Sequence, residues 1–282
     1  MLLRRKANAQ CRNFQGFTPL HFGCRLGGTE SIKSLIASHA DVDARTYTLE
    51  LTPLHVACEN SRFSSAQVLV EAKADVNALT KNRWTPLHYA ANERNFQIVS
   101  FLIENGAIVN TFNDHGDSPL HLAAKGHAFN VMKYLIERNA LVSSPNTEGD
   151  TPLILAAATG DVSCIRLLFE NKAKIDETNS KKQTALHRAT QFGHLEAVEL
   201  LLSLGANPEL PDIYNNTPHS KALMKGYEQI VSRIERISKF PKYTGELRQP
   251  LHRVHSSGSP DKELVIDAGF QEISMSYARI LE

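Results

Sequence analysis

With 282 residues, 31 Lys and Arg against 30 Asp and Glu, and a formal net charge of +1, the chain lacks the charge excess that draws a protein to DNA, RNA or an anionic membrane. No run of 18 or more apolar residues reads as a membrane span, and the basic start, Met1 to Lys6, is followed by no apolar stretch of a secretory signal. A hydrophobic fraction of 42% suffices for a sizeable core.

In chain order, residues 1–12 come first. Leu2-Leu3-Arg4-Arg5-Lys6-Ala7-Asn8-Ala9 lines up with Leu201-Leu202-Ser203-Leu204-Gly205-Ala206-Asn207. The start therefore reads as the closing part of a repeated unit, and the chain as a piece of a longer array. A frayed, dispensable start is the alternative.

From residue 13 a motif returns in register. Thr18-Pro19-Leu20-His21 recurs from Thr52, Thr85, Ser118, Thr151, Thr184 and Thr217, first after 34 residues and then every 33. Ala40-Asp41-Val42-Asp43, Ala74-Asp75-Val76-Asn77 and Ala107-Ile108-Val109-Asn110 close successive units. Thr suits a helix N-cap and Pro the first helical position, where no N–H is needed. His falls three residues after the cap, where its ring bonds back as Glu does in a capping box. Small alanines such as Ala90, Ala91, Ala123 and Ala124 let neighbouring helices approach. A second helix follows with apolar residues at helical spacing, as in Ile98, Val99, Leu102 and Ile103. Gly106 and Gly205 stand where a helix ends in a left-handed residue; Lys73, Asn139 and Lys172 take that place elsewhere, at some cost. Each unit is thus a turn and two antiparallel helices, and seven units at roughly 8–10 Å per layer make a curved rod about 60–70 Å long.

The seventh unit reads as a C-terminal cap. Glu235 falls where Leu202 sits one unit earlier, and a charge suits a face that no neighbour covers. The array is expected to end near Ser238. The tail, 239–282, is punctuated by Pro241, Pro250 and Pro260 and carries a linker-like Ser256-Ser257-Gly258-Ser259. Phe270, Ile273, Tyr277, Ile280 and Leu281 then share one helical face. They suit a partner-binding helix, the edge of a following domain, or a strap on the array.

These residues resemble the ankyrin repeat, whose signature is a T-P-L-H-x-A run within about 33 residues. The resemblance covers residues 13–238, and it implies an all-α ankyrin solenoid of seven repeats preceded by a partial one. It also implies a non-enzymatic scaffold or adaptor that binds a protein partner, through the hairpin tips and the inner, concave helix face. In this register that surface holds Phe14, Phe17, Leu49, Leu51, Trp84, Asp114, Asp117, Phe192 and Tyr214, with Ile213 beside the last. Such positions need not fill the core, and aromatic residues dominate interface hot spots. Asp114, Asp117, Glu148 and Asp150 make the middle units lean acidic, which suits a partner with some basic character.

No constellation points to chemistry. The motif histidines read as caps, His115, His127 and His194 fall in turns, and no H-E-x-x-H, C-x-x-C, phosphate-binding loop or nucleophile elbow occurs. No metal, cofactor, small-molecule substrate, nucleic acid or membrane insertion is expected, and a monomer is. Cys24 and Cys58 take the small-residue slot of a first helix and Cys164 an apolar slot of a second. With Cys11 they read as reduced thiols, hence a cytoplasmic or nuclear protein. Two other readings remain alongside the scaffold. One is the recognition arm of a larger protein such as a ubiquitin-ligase substrate receptor, kinase or channel; the other is a secreted effector of an intracellular microbe.

Overall fold

In the computed structural model, residues 8–239 are described, with side chains to residue 237. They form fourteen α-helices in pairs: α1 (Pro19–Leu26) and α2 (Thr29–Ala37), α3 (Pro53–Glu59) and α4 (Phe63–Glu71), α5 (Pro86–Asn92) and α6 (Phe96–Glu104), α7 (Pro119–Lys125) and α8 (Phe129–Glu137), α9 (Pro152–Thr159) and α10 (Val162–Glu170), α11 (Ala185–Gln191) and α12 (Leu195–Ser203), α13 (Pro218–Lys225) and α14 (Glu228–Lys239). The partial unit expected at Leu2 and Leu3 lies outside the described residues. So do the tail's His252, His255, Ser259-Pro260 and the apolar face from Phe270 to Leu281.

Each inner helix starts where the motif predicts. Thr52, Thr85, Ser118, Thr151, Thr184 and Thr217 take extended backbone and cap through the side-chain oxygen, and Pro holds the first helical position in all but α11. In five units the following His closes the box. The N–H of Thr18, Thr52, Thr85, Ser118 and Thr184 donates to Nδ1 of His21, His55, His88, His121 and His187, at 3.1 Å each. A ring that accepts at Nδ1 carries its proton on Nε2. In four of the five that second nitrogen reaches the turn of the next unit, whereas His121 Nε2 is buried without a partner. His21 meets the Leu51 carbonyl at 2.9 Å, His55 that of Trp84 at 3.1 Å, His88 that of Asp117 at 3.1 Å and His187 that of Asn216 at 3.1 Å. The histidine is both a cap and a rivet between neighbours.

Odd-numbered helices pack on odd and even on even, giving an inner and an outer layer with one core between them. Leu20, Leu54, Leu87, Leu120, Leu153 and Leu186 repeat from the inner layer; Ile32, Leu69, Leu102, Leu135, Leu168 and Leu201 answer from the outer. Ala57, Ala90, Ala91, Ala123, Ala124, Ala156 and Ala157 are fully buried where inner helices meet. Cys24, Cys58 and Cys164 are buried as expected, and burial raises the Cys24 thiol to about 12. Gly106 and Gly205 end their helices left-handed, at φ 91° and 90°. Lys73, Asn139 and Lys172 adopt the same conformation, at φ 69°, 64° and 72°, and bear the steric cost that glycine avoids. In the seventh unit Glu235 is exposed and meets His219 Nε2 at 3.3 Å, whereas Leu202 is buried. The charge stands on the face the preceding unit uses for packing.

Candidate partner-binding face

The hairpin tips stand side by side, each joined to the next by one backbone bond. Tyr47 N–H donates to Gln15, Lys81 to Leu49, Asp114 to Asn82, Thr147 to His115, Ser180 to Glu148 and Ile213 to Lys181. Beneath the tips runs a second ladder, made of side chains. Asn146 Oδ1 accepts from the N–H of Glu148 and Asp150, and its Nδ2 donates to Asp117 Oδ1 of the preceding turn at 2.8 Å. Asn179 does the same one unit on, accepting from Lys181 and Gln183 and donating to Asp150 Oδ1 at 2.7 Å.

The ladder stops at both ends. Asn113 occupies the same slot, and the same spacing aims its Nδ2 at residue 84, where Trp84 offers no acceptor; Nδ2 is buried without a partner. At the far end Asp212 replaces the asparagine opposite Gln183, and turns to Lys221 Nζ at 2.8 Å instead. Replacing Asn179 by Ala strips two turn N–H groups of their acceptor and leaves the buried Asp150 carboxylate without its donor. Urea unfolding should show a loss of about 2 kcal/mol. A loss below about 0.5 kcal/mol would mean the ladder contributes nothing net.

This geometry sorts the residues expected to bind. Phe14 and Tyr214 are 89% and 71% exposed, Phe192 and Leu49 are 49% and 42%, and Ile213 joins them. Asp114 is exposed at its tip. Phe17 and Trp84 are half-buried. Phe17 meets the His21 ring edge-on at 5.5 Å, and the Trp84 ring tilts over Tyr89 at 5.0 Å. Leu51 is a correction: it is buried in the core. Turn two has one extra residue, so Thr46 Oγ1 takes the N–H of Leu51 five positions on rather than four. The side chain enters the core and presents nothing to a partner. Asp117 is a partial correction, because Asn146 already holds its carboxylate. Asp150 is likewise buried against Asn179, so the exposed acids on the tips of units four and five are Asp114 and Glu148.

Other exposed residues of this surface escaped the sequence reading: Phe22, Leu26, Tyr47, Met224 and the half-buried Tyr89 and Arg188. The signal was present. Phe22, Val56, Tyr89, Leu122, Leu155, Arg188 and Lys221 all fill the x of T-P-L-H-x-A. That slot changes nearly every time while the residues around it repeat.

A two-layered stack of capped helix pairs, bearing one ribbon of tips and inner helices, defines a helical repeat solenoid. The profile described as "Ankyrin repeats (3 copies)" matches residues 1–79, 54–146 and 138–212, and the chain belongs to the ankyrin-repeat family. Among solved structures it is similar to the human ASB11 ankyrin repeat domain. Identity is 28%, with 77% of this chain and 98% of that one covered and a TM-score of 0.71. It is also similar to the ankyrin repeat domain of Bcl-3, described as a member of the IkappaB family. There identity is 26%, coverage 78% and 99%, and the TM-score 0.65. The search of curated proteins returned no match. Ankyrin repeats are protein–protein interaction modules.

Proposed function

We propose that this chain is an interaction scaffold or adaptor that holds a protein partner on its hairpin tips and inner helices. The observation that carries the reading is Trp84. It stands in the slot where Asp117 and Asp150 continue the side-chain ladder, and it leaves Asn113 Nδ2 buried and unsatisfied. An unmade bond of that kind costs about 1–3 kcal/mol. A half-buried indole kept at that cost fits a binding role, because tryptophan is among the residue types most enriched at hot spots. We also propose a cytoplasmic or nuclear location. Support comes from Cys24, Cys58 and Cys164, which are free thiols buried in the core.

The test is affinity capture with the full chain and with a Trp84→Ala, Phe192→Ala variant. Circular dichroism confirms that the fold is kept. Each truncation at a hot spot costs about 2 kcal/mol, so a specific partner should bind the variant several hundredfold more weakly. Recovery of the same protein at equal yield by both chains would exclude these residues from the binding surface.

A further inference from the structure

Charge along the ribbon of tips and inner helices is unevenly placed, although the whole chain is nearly neutral. In units four and five, residues 112–127 and 145–160, the ribbon carries Asp114, Asp117, Glu148 and Asp150 against Lys125 alone. In units six and seven, residues 178–193 and 211–226, it carries Lys181, Lys182, Arg188, Lys221 and Lys225 against Asp212 alone. The sign reverses within one repeat.

The basic half is also the less satisfied one. Asp212 is spent on Lys221, the one cation of the five that has a carboxylate. Among the described residues, Lys181, Lys182, Lys225 and Arg188 form no ion pair, and the three lysines are exposed. The Arg188 guanidinium lies over the Phe192 ring, 5.3 Å from its centroid; its Nε is buried without a hydrogen-bond partner, so a carboxylate would be met by its terminal nitrogens. On the same tips and inner helices Phe192, Ile213, Tyr214 and Met224 are 48–71% exposed. A guanidinium held over an aromatic ring is preset to take a carboxylate in a bidentate grip. The surrounding apolar side chains supply the area that a charge pair alone does not.

We propose that units six and seven dock an acidic segment of a protein partner, one that alternates carboxylates with aromatic or aliphatic side chains. The proposal rests on the scaffold reading above and names the chemistry of the partner at this half of the ribbon. A protein is favoured over nucleic acid for two reasons. A phosphate strand continuing along the ribbon would meet Asp114 and Glu148 in the adjoining units. The patch also presents as many exposed apolar side chains as uncompensated cations, four of each.

The experiment is fluorescence anisotropy on the full chain with three labelled probes. These are a twelve-residue peptide of Glu interrupted by Phe and Leu, its counterpart with Lys for Glu, and a twelve-nucleotide single-stranded DNA. The variant is Lys181→Glu, Lys182→Glu. Both side chains are exposed. Glutamate is already accepted in the slot of Lys182, because Glu50 fills it in unit two at φ 55° against 53°. The Glu peptide should bind the native chain, lose at least about tenfold in the variant, and weaken in 0.5 M salt. The Lys peptide should bind the native chain more weakly than the Glu peptide. Equal affinity of the Glu peptide for both chains, no binding of it at all, or tighter binding of the DNA would each overturn the proposal. The scaffold reading fails separately. A captured partner lost with Trp84→Ala, Phe192→Ala but kept through the lysine reversal leaves that reading standing and removes only the acidic partner.

Discussion

Between pH 7 and pH 5 the folded array should lose several kcal/mol of stability, an unusually steep loss for so mild a change. The cause is the five motif histidines, which are fully buried and accept a backbone N–H at Nδ1. A proton on Nδ1 would remove the acceptor and place a charge in the core. Burial, the largest influence, lowers the pKa of all five. Bonds from Nε2 to the next turn, and at His121 the Asp117 charge, oppose it only in part. His55 and His88 fall from the ordinary 6.5 to about 4.

A histidine lowered in this way is neutral in both states above pH 6.5, so its contribution to stability is complete there. As pH falls from 6.5 toward 4, the unfolded chain takes up a proton that the folded chain refuses. Stability then drops by up to about 1.4 kcal/mol per pH unit for each ring. For His55 and His88 alone that is on the order of 4 kcal/mol by pH 5, and His21, His121 and His187 add in the same direction. Asp43 and Glu59 work against it. Burial holds both carboxyls above their usual range, so they accept protons sooner in the folded state. Two partly buried carboxyls offset only part of five buried rings. Urea unfolding at pH 7.5, 6.5, 5.5 and 5.0 measures the slope. His88→Ile, the exchange that Ile154 makes naturally in unit five, should lower stability at pH 7.5 yet flatten the slope by about one proton. A stability flat to pH 5 would mean the rings accept protons without leaving their caps.

How much of this was legible in the sequence follows from the range over which each interaction acts. The capping box spans three residues, so Thr and His in register were enough to place it. The other half of each histidine's work was not legible. The carbonyl that meets Nε2 lies about 29 residues away, and nothing in T-P-L-H says where its ring edge ends. Asp117 and Asp150 show the same limit. Alone, each is an acid in a turn and reads as surface charge. Only beside Asn146 and Asn179, 29 residues further on, does it become a ladder rung. The repeated Asn-x-x-Gly-Asp of 113–117 and 146–150 held that information as a pattern rather than as composition. Leu51 failed for a smaller reason. The single 34-residue interval among 33s was visible, but which way the lengthened turn would direct its last side chain depended on packing. The binding face is the least legible of all. Its x slot is set apart by changing, yet Val56 and Leu122 in that slot are buried while Phe22 is exposed, so variation alone neither marks the surface nor names what it meets.

The tips yield the other large effect. Gly149→Ala should cost about 3 kcal/mol, whereas Gly106→Ala should cost about 1. Both glycines are left-handed, at φ 78° and 91°, so an L side chain brings about 1–2 kcal/mol of backbone strain to either. They differ in what the new methyl meets. Around Gly106 nothing lies within 4 Å, and the strain stands alone. At Gly149 the methyl carbon would sit 2.5 Å from the backbone nitrogen of Ser180 and 3.0 Å from the Asn179 carbonyl carbon. That backbone cannot easily retreat. Ser180 N–H is the rung that binds Glu148 at 2.9 Å, and Asn179 is fixed by its bonds to Lys181, Gln183 and Asp150. Relieving the clash means parting two tips, which adds roughly 1–3 kcal/mol of the kind that overpacking brings. Thermal unfolding at pH 7.5 should therefore place Gly149→Ala well below Gly106→Ala, by roughly 4–8 °C for an array of this size. Equal losses would show that neighbouring tips slide apart at little cost. The side-chain ladder beneath them would then be a consequence of stacking and would not hold it together.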